Sequence, residues 1–196
     1  MQKINCGYGG IRMEKLEWDT YFMTMVYLIA MKSKDQKSHL GAVIIGPDRE
    51  VRSTGYNGLP RGCNDNLPER QVRPEKYFWF EHAERNAIYN AARNGMPLYG
   101  CTMYTNGIPC MDCARGVIQA GLKKVIVHKE WVENTPPHWE DHAKRSTIMF
   151  MEAGIKVDIY DGPILGPLTG LRDGELIQFH PVKDDQYDER ILKTTR

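Results

Sequence analysis

The sequence predicts an α/β fold of three layers, α/β/α, in which helices cover both faces of one central, mixed, five-stranded sheet. Three observations predict it. Apolar residues recur at helical intervals in four separate stretches, and five short runs rich in β-branched residues lie between or after them. The elements follow one another as α-β-β-α-β-α-β-α-β. The first two strands are joined by a tight turn, which makes them antiparallel neighbours. Helices join the later ones, and short crossovers through helices favour parallel pairing.

At 196 residues the chain fits one domain. We expect that domain over residues 1–160, with its core at about 17–160 and an insertion at about 63–77. Residues 161–196 read as a C-terminal extension, rich in Gly, Pro and charge, that wraps the surface or is partly mobile and holds no readable motif. Hydrophobic residues make up 41% and charged ones 26%, the balance of a soluble globular protein. Lys and Arg number 26 against 25 Asp and Glu, so the net charge of +1 offers no general attraction for a polyanion, and nucleic acid is not expected as a partner. Five cysteines, an odd number in a chain too large to need staples, suit a reducing compartment. No apolar run at the N-terminus reads as a signal sequence, and YFMTMVYLIAM is too short to cross a bilayer, so the expectation is a cytoplasmic protein without membrane contact.

From Trp18 to Met31, Tyr21, Phe22, Met25, Val26, Leu28 and Ile29 mark a buried first helix. The segment MKSKDQKSH ends it as a charged loop with Ser33, Lys34 and Lys37, either a solvated turn or a place for a phosphate. GAVII (41–45), the turn Gly46-Pro47-Asp48-Arg49 and the run 51–56 form a hairpin. The loop GYNGLPRG (55–62) is rich in residues that permit positive φ or fix a turn, so its backbone can approach a ligand closely. Residues 63–77 lack periodicity. A helix starts near His82, carries Ala83, Ala87, Ile88, Ala91 and Ala92, and stops at Asn94-Gly95. A strand at 101–105 follows. Next come a helix at about 110–120 ended by Gly121, the buried strand KVIVH (124–128), a helix at 138–153 ended by Gly154, and a last strand at 155–160.

The chemistry gathers in Phe80-Glu81-His82-Ala83-Glu84 and Pro109-Cys110-Met111-Asp112-Cys113. Imidazole nitrogen and thiolate sulfur are donors that a tetrahedral Zn2+ prefers, and His82, Cys110 and Cys113 leave a fourth position open for water. All three stand at helix starts, where free amides and the helix dipole favour anions, so both thiols are expected to have lowered pKa values. Glu84, two residues beyond His82, points to another side of the helix and suits proton transfer with the bound water rather than ligation. Taken alone, these residues also allow a redox CxxC pair, or a closed structural zinc site completed by Cys101 or Cys63.

H-x-E followed by P-C-x-x-C is the signature of zinc-dependent nucleobase deaminases. Through LEWDTYFM, the SKD loop, GAVIIGPDREVRSTGYNGLPRGCND, EHAERNAI and PCMDCARGVIQAGLKKVIV, over about residues 17–160, the chain resembles the deoxycytidylate branch of the cytidine and deoxycytidylate deaminase superfamily. The zinc signature alone also admits tRNA adenosine, guanine and riboflavin-pathway deaminases. GYNGLPRGCND and the insertion ahead of His-Ala-Glu favour the deoxycytidylate branch. The resemblance implies a cytidine-deaminase-like fold and hydrolysis of dCMP to dUMP and ammonia by a zinc-activated water, feeding thymidylate synthesis. Glu84 would protonate N3 of cytosine and then assist departure of the amino group. It further implies that the Ala83 amide holds the cytosine carbonyl, that Asn57 binds the sugar 3′-hydroxyl, and that Ser33 and Lys34 take the 5′-phosphate. Members of this branch are commonly homohexamers activated by dCTP and inhibited by dTTP. Gly58, Arg61 and Arg93 would then meet a triphosphate effector, with Mg2+. Two alternatives stand beside this reading: a tRNA or RNA nucleobase deaminase, and a non-catalytic module stabilised by structural zinc. No second zinc site is predicted from Cys63 and His39.

Overall fold

The computed structural model describes residues 16–166, together with the backbone of two strands beyond them. Glu17–Ile164 form one compact unit. Its first helix, α1 (Trp18–Ala30), buries Thr20, Phe22, Met23, Val26 and Ala30, and packs Phe22, Met23 and Val26 with Val43, Ile45, Tyr104 and Ile126 of the sheet. Tyr21 and Leu28, expected inside, are instead 42% and 52% exposed. The run is apolar nearly all round, so its period does not define the helix's rotation; contact with the sheet does.

Strands β1 (Gly41–Ile45) and β2 (Val51–Tyr56) are the expected antiparallel hairpin, with a register shift between Ile44 and Ile45. β1 is buried along its whole length, because it lies inside the sheet with both faces covered. The aperiodic stretch is not without structure: a 3-10 turn at Pro68–Gln71 and the one-turn helix α2 (Lys76–Trp79) fold it back on the loop after α1. Gln71 donates to the Lys34 carbonyl (3.1 Å) and accepts from the Gln36 amide (3.4 Å). Lys76 Nζ meets the buried Asp35 carboxylate at 2.5 Å.

Helix α3 (Ala83–Arg93) leads to β3 (Thr102–Thr105), α4 (Met111–Gln119) to β4 (Lys124–His128), and α6 (Pro137–Glu152) to β5 (Lys156–Tyr160). A five-residue helix, α5 (Lys129–Glu133), follows β4 and has no counterpart in the reading of the sequence. The sheet order is β2-β1-β3-β4-β5. β3 is antiparallel to β1 and parallel to β4, and β4 is parallel to β5, which makes the sheet mixed as expected.

One core lies between the sheet and α3, α4 and α6, through Ala87, Ala91, Met103, Val117, Val125 and Phe150. The other lies under α1. Gly55 lets α3 come close to β2: a Cβ there would sit 2.3 Å from both the Ala83 carbonyl oxygen and the Ala87 nitrogen.

Beyond this unit, Leu168–Arg172 (β6) and Glu175–Phe179 (β7) pair antiparallel as a two-stranded hairpin of their own. The sequence reading expects no element there. The pair flanks Asp173-Gly174, a dipeptide with strong hairpin preference. Of the rest of the extension, residues 161–166 are described and the remainder lies outside the described residues. No helix among the described residues is long and apolar enough to cross a membrane.

Candidate metal centre and active-site pocket

His82 caps α3 and Cys110 caps α4, both in extended backbone conformation, and Cys113 sits in the first turn of α4. The start of α3, which follows β2, meets the start of α4, which follows β3, so residues 28 and 31 positions apart come together. His82 Nδ1 lies 3.4 Å from Cys110 Sγ and 3.5 Å from Cys113 Sγ, and the three ligand atoms are all within 4.8 Å of one another. A tetrahedral zinc ion, with Zn–S near 2.3 Å and Zn–N near 2.1 Å, needs N–S edges of about 3.6 Å. Donor type and spacing therefore fit zinc. Among the described residues no fourth His, Cys, Asp or Glu joins the cluster. Cys101 is buried near the Pro97 carbonyl, and Cys63 lines a different cavity.

The expectation that both thiols are acidified is corrected. Cys110 is lowered to about 3, first by its hydrogen bond with Cys113 and then by His82, against burial. Cys113 is raised well above the ordinary thiol range, by the same bond to Cys110 and then by burial and Glu84. The two thiols hydrogen-bond to each other and titrate as a pair. Burial would lower His82, but the hydrogen bond to Cys110 and the Glu84 charge outweigh it and raise the imidazole.

Glu84 is 6% exposed, and its Oε2 lies 3.6 Å from Cys113 Sγ. Burial pushes its carboxyl above the usual range, with the His82 charge pulling the other way. A carboxyl raised by burial next to an open metal position is suited to take up a proton and give it back. Arg85, next on α3, pairs with Glu81 and lies 3.5 Å from Asp112, which ties the start of α3 to the start of α4.

From this cluster opens a cavity of about 180 Å³. Asn57, Thr105, Ile108, Trp131 and Trp139 form much of its wall, and Asp35, Arg73, Lys76 and His142 contribute polar groups. The predicted residues distribute unevenly around it. Glu84, His82, Cys110 and Asn57 line it, and Ala83, fully buried, opens α3 with one of the first-turn amides that lack an intrahelical partner.

The Asn57 amide is saturated. Its Oδ1 accepts from Ser33 Oγ (2.7 Å) and the Leu40 amide (2.8 Å), and its Nδ2 donates to the Ser38 carbonyl (2.8 Å) and to Asp35 Oδ2 (3.1 Å). Ser33 thus stands behind Asn57, and Lys34 pairs with Asp65 at the edge of a second cavity; neither lines the first. Gly58 bridges Glu81 through both backbone groups (3.1 and 2.8 Å), Arg61 donates to the Asn90 side chain, and Arg93 is exposed at the end of α3.

Several wall residues escape the sequence reading. Arg73 and Lys76 belong to the segment taken as insertion, and Trp139 and His142 to a helix read only for its amphipathic period. The one available signal was the basic and aromatic run Arg73-Pro74-Glu75-Lys76-Tyr77 just ahead of the metal motif.

Fold and site define a zinc-dependent deaminase: a mixed sheet presenting a three-ligand metal cluster, with a buried carboxyl beside it, at the mouths of two helices. Residues 16–129 match the model of the cytidine and deoxycytidylate deaminase zinc-binding region, and the chain belongs to that family. The human deoxycytidylate deaminase is 38% identical over 160 residues, covering 79% of this chain and 84% of that one. The deoxycytidylate deaminase of phage T4 is 33% identical over 165 residues, covering 64% and 84%. Among solved structures, the dCMP deaminase of cyanophage S-TIM5 in complex with dCMP and dUMP superposes with a TM-score of 0.60 at 22% identity, over 76% of this chain and all of that one; it shares the fold.

Proposed function

We propose that the chain hydrolyses dCMP to dUMP and ammonia. The observation that carries this reading is the buried Glu84 carboxyl beside a His82–Cys110–Cys113 cluster that no fourth described side chain closes. Relatives of known name over most of the chain, from human to phage, support the choice of dCMP.

The chemistry supplied by zinc bound in this cluster is Lewis acidity, which makes water available as a nucleophile near pH 7. The remaining work falls to the chain. Glu84 takes a proton from the attacking water and passes it to N3 of cytosine, then takes the proton of the new C4 hydroxyl and hands it to the amino group as the C4–N bond breaks, so one water enters and one ammonia leaves. The Ala83 amide donates to the cytosine carbonyl. A sugar hydroxyl reaching Asn57 takes the place of one of that residue's present partners.

Regulation by dCTP as activator and dTTP as inhibitor, with Mg2+, at Gly58, Arg61 and Arg93 belongs to the same proposal, as do a homohexamer and a cytoplasmic location. A polyanionic tRNA substrate finds no support in a net charge of +1. The test is ammonia release from dCMP by zinc-loaded protein, with Glu84→Gln as the control. Absence of turnover at full zinc occupancy rejects the reading.

A further inference from the structure

The pocket wall carries two full cations, and they are not equivalent. Lys76 is held by Asp35 at 2.5 Å. Arg73 has no carboxylate within ion-pair distance among the described residues: its Nη2 meets the ring nitrogen Nε2 of His138 at 3.2 Å, and its guanidinium lies 5.5 Å from the Tyr77 ring centre. The pocket acids are committed elsewhere, Asp35 to Lys76 and Asn57, Glu81 to Arg85, and Glu84 to the metal cluster. One helical turn beyond His138, His142 also lines the pocket, and its Nδ1 is buried with no partner among the described residues. Trp139 joins these groups to the metal end, with ring centres 6.0 Å from His82, 5.7 Å from His138 and 5.1 Å from His142.

An uncompensated guanidinium, a pocket-lining imidazole and an aromatic side chain that reaches from them to His82 define a place for an anion. We propose that Arg73 and His142 form the anion-recognition end of the pocket and hold the phosphate monoester of the substrate. This places the monoester there rather than on Ser33 and Lys34, which lie outside the pocket. The fork of a guanidinium matches two phosphate oxygens, and Arg remains charged at every working pH. His142, one helical turn beyond His138 on the same wall, supplies the second contact through its imidazole. This deepens the proposed function and rests on it: the selectivity for nucleotide over nucleoside comes from the 63–77 segment together with α6.

The test compares kcat/KM for dCMP and for deoxycytidine in the zinc-loaded full chain. Arg73→Ala should lower the dCMP-to-deoxycytidine ratio about 10- to 100-fold, carried by KM for dCMP, as loss of a charge-assisted contact remote from the bond that breaks. Arg73→Lys, which keeps the charge and loses the fork, should fall between. His142→Gln should lower the same ratio. Inorganic phosphate should compete with dCMP on the wild type and compete less on Arg73→Ala. An unchanged ratio in both Arg73→Ala and His142→Gln overturns the assignment, and so does a fall in Lys34→Ala that Arg73→Ala lacks. A wild-type enzyme that fails to turn over dCMP rejects instead the reading on which the inference rests.

Discussion

Glu84 sits where a carboxyl is costly to place, 6% exposed with its Oε2 against a cysteine sulfur. Its removal is therefore expected to separate activity from stability. Glu84→Gln should lower kcat on dCMP by about 10³-fold, since a positioned proton carrier contributes 10²- to 10⁴-fold. It should leave zinc content by mass spectrometry unchanged, and thermal unfolding no earlier than in the wild type, because the amide has no charge to desolvate. A variant that loses zinc would show Glu84 to be a ligand. Cys110→Ala and His82→Ala, in contrast, should lose zinc and activity together. These residues were legible in the sequence because their spacing is local: H-x-E and C-x-x-C each span one helix start. Arg73, Trp139 and His142 were not, because no period or motif connects them, and they become neighbours only when α6 folds back beside the start of α3.

At the scale of elements, the loop after α1 is held by Asp35. Its carboxylate accepts from the Lys37 amide (2.8 Å), the Ser38 amide (3.2 Å) and Asn57 Nδ2 (3.1 Å), and pairs with Lys76. Asp35→Ala leaves the mostly buried ammonium of Lys76 without its partner and should cost about 3 kcal/mol in urea unfolding. A change within 0.5 kcal/mol would mean that the insertion docks by other contacts. The join between α3 and β2 is steric. Gly55→Ala places a methyl against the α3 backbone and should cost about 1 to 3 kcal/mol while also lowering kcat, because the first turn of α3 carries Glu84. Order and type of the main elements were readable from period and breakers. The rotation of α1 was not, since an apolar run shows no preferred face, and the β6–β7 hairpin was missed although Asp173-Gly174 stood in the chain.

The whole molecule carries the prediction on regulation. Sigmoidal dependence of rate on dCMP should become hyperbolic with dCTP, and sedimentation should find a hexamer. Arg93→Glu should blunt the response to dCTP, and hyperbolic kinetics indifferent to both triphosphates would reject the effector reading. The geometry of the metal cluster also reaches beyond chemistry. Its three donors come from two points of the chain, so an ion bound there acts as a clasp that closes a stretch of nearly thirty residues containing all of α3 and β3. By the arithmetic of loop closure such a clasp is worth about 3 to 4 kcal/mol. The ion that serves catalysis thus also helps fasten the segment that carries Glu84, and a chelator should speed deuterium uptake throughout that segment before the remainder of the sheet opens.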